Sequence, residues 1–131
     1  MNLTGVRLFS KQHVYIQEED RTFYLLIGIS PQAVDMLGDV KNLEVSAGGR
    51  VGMLIRQGQV VFSMESVKSV SDYESPISGL VMEVNQDLID APEKVNINRD
   101  NVWILKIKPD DRAQTASLMG SIEYEKFVSN A

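Results

Sequence analysis

The run Val60-Val61-Phe62-Ser63-Met64, Glu65-Ser66-Val67-Lys68-Ser69-Val70-Ser71-Asp72, Tyr73-Glu74-Ser75-Pro76 places one lysine midway between two strand-like segments. The β-branched and aromatic residues at 60–64 suit a pleated strand. The polar centre reads as a turn, and Ser75-Pro76 closes the second arm. Lys68 is thus expected at a hairpin tip, exposed and reachable, on a base fixed by the sheet behind it. Its stem is long, and its amine can be acylated, which removes the charge. Glu65 and Asp72 bracket it with negative charge. Turn position alone would make Lys68 an ordinary solvated lysine.

Outward from this hairpin, short strands and punctuation dominate. Upstream, Val51 to Ile55 reads as a strand and Arg56-Gln57-Gly58-Gln59 as a turn; downstream, Ser78-Gly79 leads into a strand from Leu80 to Val84. Residues 51–57 can be laid on 80–86, with only a Met pair and a Gln pair identical. Nearer the N-terminus, His13 to Glu18 alternates with Val14 and Ile16 on one face. The turn Glu18-Glu19-Asp20-Arg21 then leads to a strand over Phe23 to Ile29. Ser30-Pro31 opens a short helix with Ala33, Val34 and Leu37 on its apolar side, and Gly38 ends it. Val40, Leu43 and Val45 form another strand before the Ala47-Gly48-Gly49 turn. Asp90-Ala91-Pro92 breaks the chain again. Trp103, Leu105 and Ile107 are expected on one face of a late strand that Pro109 ends. Asp111 with Gln114 resembles a capping box, and Ser121 is placed to cap a last helix from Ile122 to Val128. The pattern predicts one mainly antiparallel β domain with small helices, a sandwich or partly closed barrel, over residues 1–131.

The totals narrow the function. A chain of 131 residues suits one domain, and 44% hydrophobic with 24% charged residues is ordinary for a globular protein. A formal charge of −5 argues against nonspecific nucleic-acid binding. With no cysteine, disulfides, thiolate metal sites and cysteine nucleophiles are excluded; with His13 as the only histidine, so is a multi-histidine metal site. No apolar run is long enough to span a membrane as a helix. The start, MNLTGVRLFSKQH, lacks the apolar centre of a signal peptide. A bacterial cytoplasmic location is expected, or the mitochondrial matrix if a transit peptide has been removed.

The stretch Glu65-Ser66-Val67-Lys68-Ser69-Val70-Ser71-Asp72 closely resembles the lipoyl-attachment loop of the glycine cleavage system H-protein family. Ser75 to Gly79, Val81 to Asn85, Trp103 to Pro109 and Glu123 to Phe127 resemble its return strand, late strand and terminal helix. Gly28 to Ser30 and Leu37 to Val40 fit its early strand and helix. The resemblance implies a barrel-sandwich hybrid with short helices, including a C-terminal one, and a projecting hairpin. It implies lipoic acid joined by an amide to Lys68, with Glu65, Ser66, Val67 and Asp72 in the loop read by a lipoyl ligase or transferase. Related biotinyl domains place methionine on both sides of their lysine; Val67 and Ser69 stand here, which disfavours biotin.

The implied role is a non-catalytic carrier. Its swinging arm receives an aminomethyl group from a pyridoxal-phosphate glycine decarboxylase and gives it to a folate-dependent aminomethyltransferase. A dihydrolipoyl dehydrogenase then reoxidises the arm. Neither nucleic acid nor membrane is an implied partner.

Three positions depart from the family pattern. His13-Val14-Tyr15 stands where the family carries His-Glu-Trp, whose glutamate helps hold the aminomethylated arm; a valine side chain accepts no hydrogen bond. Phe62 stands in a stretch that is small and glycine-rich in the family. Asn98-Arg99-Asp100-Asn101 replaces a glycine-rich stretch before the late tryptophan. Together they are expected to alter the cleft while leaving the attachment loop intact. They keep two alternatives in view: an H-like lipoyl carrier for another route (lipoyl relay, sulfur metabolism or stress-linked modification), and an unmodified interaction domain.

The remaining chemistry-bearing residues read as structural. A lone histidine beside a strand is more often packed or exposed than catalytic. Trp103 reads as core, the methionines as core fillers, and Glu18-Glu19-Asp20 as a solvated turn. Gly48-Gly49 lacks the strand-to-helix setting of a phosphate loop.

Overall fold

A computed structural model describes residues 5–20 and 22–130. Met1 to Thr4 of the N-terminal segment, and Arg21 of the expected 18–21 turn, lie outside them. Among the described residues, strands β1 (Arg7–Phe9), β2 (Val14–Glu18), β3 (Leu25–Ile29), β5 (Leu54–Ile55), β8 (Gly79–Val84) and β9 (Trp103–Pro109) form one antiparallel sheet in the order β1-β2-β3-β9-β8-β5. Strands β4 (Val40–Val45), β6 (Val60–Ser66) and β7 (Val70–Glu74) form a second, in the order β4-β6-β7. The helices are α1 (Pro31–Leu37), α2 (Gln86–Asp90), α3 (Lys94–Ile97) and α4 (Ser121–Ser129). None is long and apolar enough to cross a membrane. The expectation of a mainly antiparallel β fold with short helices holds.

The main core draws on both sheets and α1, with Ile16, Ile27, Val61, Met64, Ile77 and Leu105 among its fully or almost fully buried side chains. Burying such a side chain contributes about 1.5–3 kcal/mol each. A second cluster, Phe9, Tyr15, Met119 and Tyr124, lies under α4; Phe9 stacks on Tyr124 with ring centroids 4.3 Å apart. Trp103 packs against this second cluster while Leu105 and Ile107 belong to the main core. The expected shared face fails because the β3–β9 register shifts between Ile27 and Gly28, which sets Trp103 opposite Gly28. Only glycine fits there, since a Cβ would stand 1.9 Å from the Val102 carbonyl oxygen and 2.7 Å from the Tyr15 ring.

Other local differences have local causes. Phe23 is exposed with a positive φ of 64°, so β3 begins at Leu25 rather than at Phe23. Of the 51–55 segment, Leu54 and Ile55 form strand β5 opposite Leu80 and Gly79, while Gly52 N–H donates to the Val81 carbonyl and Val81 N–H to the Met53 carbonyl, both at 2.9 Å; this brings part of the two faintly similar segments side by side. Asp111 caps Ala113 N–H, but Gln114 turns away and accepts from Ser78 N–H at 2.6 Å, so the capping box is half made. Gly120 precedes α4, and Ser121 is its first residue rather than its cap. Met36 and Met53 are half exposed, unlike the buried Met64 and Met119. Glu19 is not merely solvated: its carboxylate lies 2.7 Å from Lys106 Nζ. Helices α2 and α3 occupy the stretch around the 90–92 break, where only the break is legible in sequence.

Candidate functional site

Strands β6 and β7 are joined by the three residues Val67-Lys68-Ser69, with Lys68 at the centre of the tip. Ser66 N–H donates to the Ser69 carbonyl at 2.8 Å. The buried Ser66 hydroxyl accepts from Lys68 N–H at 3.2 Å and Ser69 N–H at 3.3 Å, and donates to the Ser69 carbonyl at 3.3 Å. One serine therefore satisfies most of the free backbone groups of the turn, as serine does where it mimics a backbone partner. Ser66 serves the loop from inside, whereas Glu65, Val67, Lys68 and Asp72 are exposed.

A second contact fixes the tip to the body. Val67 N–H donates to the Asp39 carbonyl, which follows α1. That linker is held by Asn96 of α3, whose side chain donates to the Gly38 carbonyl at 2.8 Å and accepts from Val40 N–H at 2.9 Å. Gly38 has φ 74°, a conformation suited to glycine, and its N–H closes α1 on the Val34 carbonyl. The Lys68 stem runs past this residue: a Cβ at Gly38 would be 3.7 Å from Lys68 Cε and 3.9 Å from Nζ. Ser30 caps α1 as expected, accepting from Ala33 N–H at 3.1 Å. Asn96 carries no sequence signal of this role, because it is a polar residue in a four-residue helix.

Beside the tip lies a cavity of about 290 Å³. Ala33, Met36 and Leu37 of α1 form an apolar wall; Ser69, Ser71, Asp72 and Tyr73 of the hairpin face them; Gln12 and His13 of the β1–β2 loop complete it. Gln12 Nε2 donates to Glu74 at 2.6 Å, tying that loop to β7. His13 has φ 70°, in a region where histidine is over-represented among non-glycine residues. Its Nδ1 lies 2.6 Å from the Tyr124 hydroxyl, which is also 2.6 Å from Ser30 Oγ. Burial lowers the His13 pKa below its ordinary 6.5, and burial raises those of Tyr73 and Tyr124.

The three departures fall differently than expected. Val14 is fully buried in the main core opposite Ile29 and does not line the cavity, although its neighbour His13 does. Phe62 is also fully buried and acts at one remove, stacking on Tyr73 with centroids 5.1 Å apart. The Asn98–Asn101 turn lies beside a different cavity, of about 530 Å³, with Trp103 and α3. There Arg99 pairs with both Asp35 oxygens, at 2.6 and 2.7 Å, and holds the Asp35 carboxyl below its usual range. The expectation that all three alter the cleft is thus corrected for Val14 and for 98–101, which do not line it. Among the described residues no cluster of metal-ligating side chains occurs.

The donor set beside Lys68 suits an acyl arm. Apolar α1 residues would cover an alkyl chain, polar hairpin and loop residues would meet its amide or its far end, and the volume matches a small ligand. Comparison with known proteins places the chain in a family. The family model described as glycine cleavage H-protein matches residues 7–131. A glycine cleavage system H protein of Acidobacterium capsulatum is 39% identical over 120 residues, covering 92% of this chain and 89% of its own. One of Listeria innocua is 38% identical over 127 residues, covering 96% and 98%. The crystal structure of a glycine cleavage system H protein from Mycobacterium marinum superposes with a TM-score of 0.79 at 25% identity, covering 94% of this chain and 96% of that one. The likeness bears out the expected barrel-sandwich architecture.

Proposed function

The chain belongs to the glycine cleavage H-protein family, and from that premise we propose that it is a lipoyl carrier whose arm is built on Lys68. A family of this kind is a carrier component, and the chain acts as substrate and shuttle for enzymes that do the chemistry. The observation that carries this reading is the placement of Lys68: an exposed amine on a stapled hairpin tip, beside a cavity of mixed polarity. Lipoic acid bound there would supply the redox and group-carrying chemistry that a cysteine-free chain lacks. This chain's residues do the rest. The Ser66 staple keeps the amine in one place for a lipoyl ligase or transferase. Glu65, Asp72 and Val67, which is 65% exposed, offer that enzyme charged and apolar contacts. The α1 wall, Ser71 and Asp72 shelter the arm from water between encounters.

The arm carries an aminomethyl group from the pyridoxal-phosphate glycine decarboxylase to the folate-dependent aminomethyltransferase, and the dihydrolipoyl dehydrogenase resets it. Tethering raises the arm's effective concentration at each docked enzyme. Residues 1–131 act as a single carrier domain, in the cytoplasm of a bacterial cell. Reconstitution with the three enzymes tests the cargo: the lipoylated chain should support glycine-dependent reduction of the dehydrogenase's acceptor, and the Lys68→Ala chain should not. One observation favours a second reading, a carrier of the same build for another route. Among the described residues, Asp72 is the one carboxylate lining the cavity, and Val14 adds none. Failure of the fully lipoylated chain to support glycine turnover would select that reading.

A further inference from the structure

The His13 ring meets the cavity wall with one nitrogen already committed. Its Nδ1 is 2.6 Å from Tyr124 Oη, and Tyr124 Oη is 2.6 Å from Ser30 Oγ. The direction of these bonds follows from the buried end. Ser30 is fully buried, and its oxygen accepts from Ala33 N–H as the cap of α1. Its own proton is satisfied by donation to Tyr124 Oη; the opposite polarity would strand that proton without an acceptor in a dry site. Tyr124 then donates its proton to His13 Nδ1. A neutral imidazole whose Nδ1 accepts carries its proton on Nε2. The ring is held in this pose by edge contact with Tyr124, 5.7 Å between centroids, and by Phe127 at 6.2 Å. Both are residues of α4, so the C-terminal helix sets the chemistry of a residue in the cavity wall.

We infer that Tyr124 locks His13 as an Nε2–H donor facing the arm cavity, and that this donor binds an acceptor atom of the acylated Lys68 arm, its amide carbonyl or a sulfur. His13 is then a binding residue of the cavity and not a base, and Tyr124 is a positioning residue that acts through it. The inference rests on the carrier reading of Lys68. It also bears on cargo: the wall opposite α1 offers a donor from His13 and a carboxylate from Asp72 rather than a pair of carboxylates.

His13 is the only histidine in the chain, so its two ring nitrogens give an unambiguous signal in a spectrum of 15N-histidine-labelled protein. The full chain is compared before and after ligase-catalysed lipoylation, with intact mass scoring attachment, at a pH where the imidazole is neutral. The wild type should show the Nε2–H tautomer with a hydrogen-bonded Nδ1, and lipoylation should move the Nε2 resonance. In Tyr124→Phe the Nδ1 bond should disappear and the response to lipoylation should shrink. Reducing the arm should move the Nε2 signal again if the acceptor is sulfur and leave it in place if it is the carbonyl. An Nδ1–H tautomer in the wild type, or an Nε2 signal unmoved by a verified lipoyl increment, would overturn the inference while leaving the carrier reading intact. Absence of the increment would sink the carrier reading and this inference with it. The wild-type tautomer needs no variant, so the test survives even if Tyr124→Phe folds poorly.

Discussion

At the residue scale, the site depends on side chains that satisfy backbone groups as much as on the lysine itself. Ser66→Ala would remove the acceptor for two tip N–H groups. We expect a loss of about 1 kcal/mol in denaturant melts and a slower lipoylation rate, since a lost hydrogen bond at a part-exposed turn costs about that much. Asn96→Ala should cost more, about 1–3 kcal/mol, because it strands Val40 N–H and the Gly38 carbonyl in a partly buried linker. Tyr15→Phe should behave oppositely. The Tyr15 hydroxyl is buried without a hydrogen-bond partner among the described residues, and burial pushes its pKa up to about 12. Removing that hydroxyl should leave stability unchanged within about 1 kcal/mol or raise it. Lys68 was legible as the proposed attachment point because the eight-residue stretch Glu65 to Asp72 that contains it carries a specific resemblance. Asn96 and Tyr124 were not, because their roles arise from contacts 56 and 111 residues away in sequence.

At the element scale, helix α1 does three jobs with seven residues. It packs Ala33, Val34 and Leu37 into the core, forms the apolar cavity wall, and ends at the glycine beside Lys68. Its cap, apolar side and stop signal were all readable, since capping and helix termination are local chemistry. Ser30→Ala should cost about 1–2 kcal/mol by thermal or urea unfolding, through the lost cap and the disturbed Tyr124 bond. By contrast, the face reached by Trp103 was misread. A two-residue alternation assumes an even ladder, and the shift between Ile27 and Gly28 breaks it. The half-made capping box after β9 has a similar cause: Gln114 finds a better partner across the sheet in Ser78 N–H. Helices α2 and α3 escaped notice because four or five residues are too few to establish a 3.6-residue period.

At the scale of the whole molecule, burial of His13 ties stability to pH. Its folded pKa lies below the ordinary 6.5, so the unfolded chain binds the proton more readily. The contribution is fully present above about 6.5 and is lost as pH falls through the lowered folded value. We expect unfolding free energy to decline over that window, with a shallower decline in His13→Asn. The mainly β class followed from strand spacing; the division into six- and three-stranded sheets did not, because pairing partners are chosen by tertiary packing. That division matters for the proposed function, since the hairpin of the small sheet carries Lys68 and the large sheet, with α1 and α4, supplies the surroundings. Intact-mass measurement after coexpression with a lipoyl ligase and lipoate tests the attachment most directly. One lipoyl increment is predicted on the wild-type chain and none on Lys68→Ala; an unmodified wild type, or an increment that persists in Lys68→Ala, would contradict the assignment of the carrier arm to Lys68.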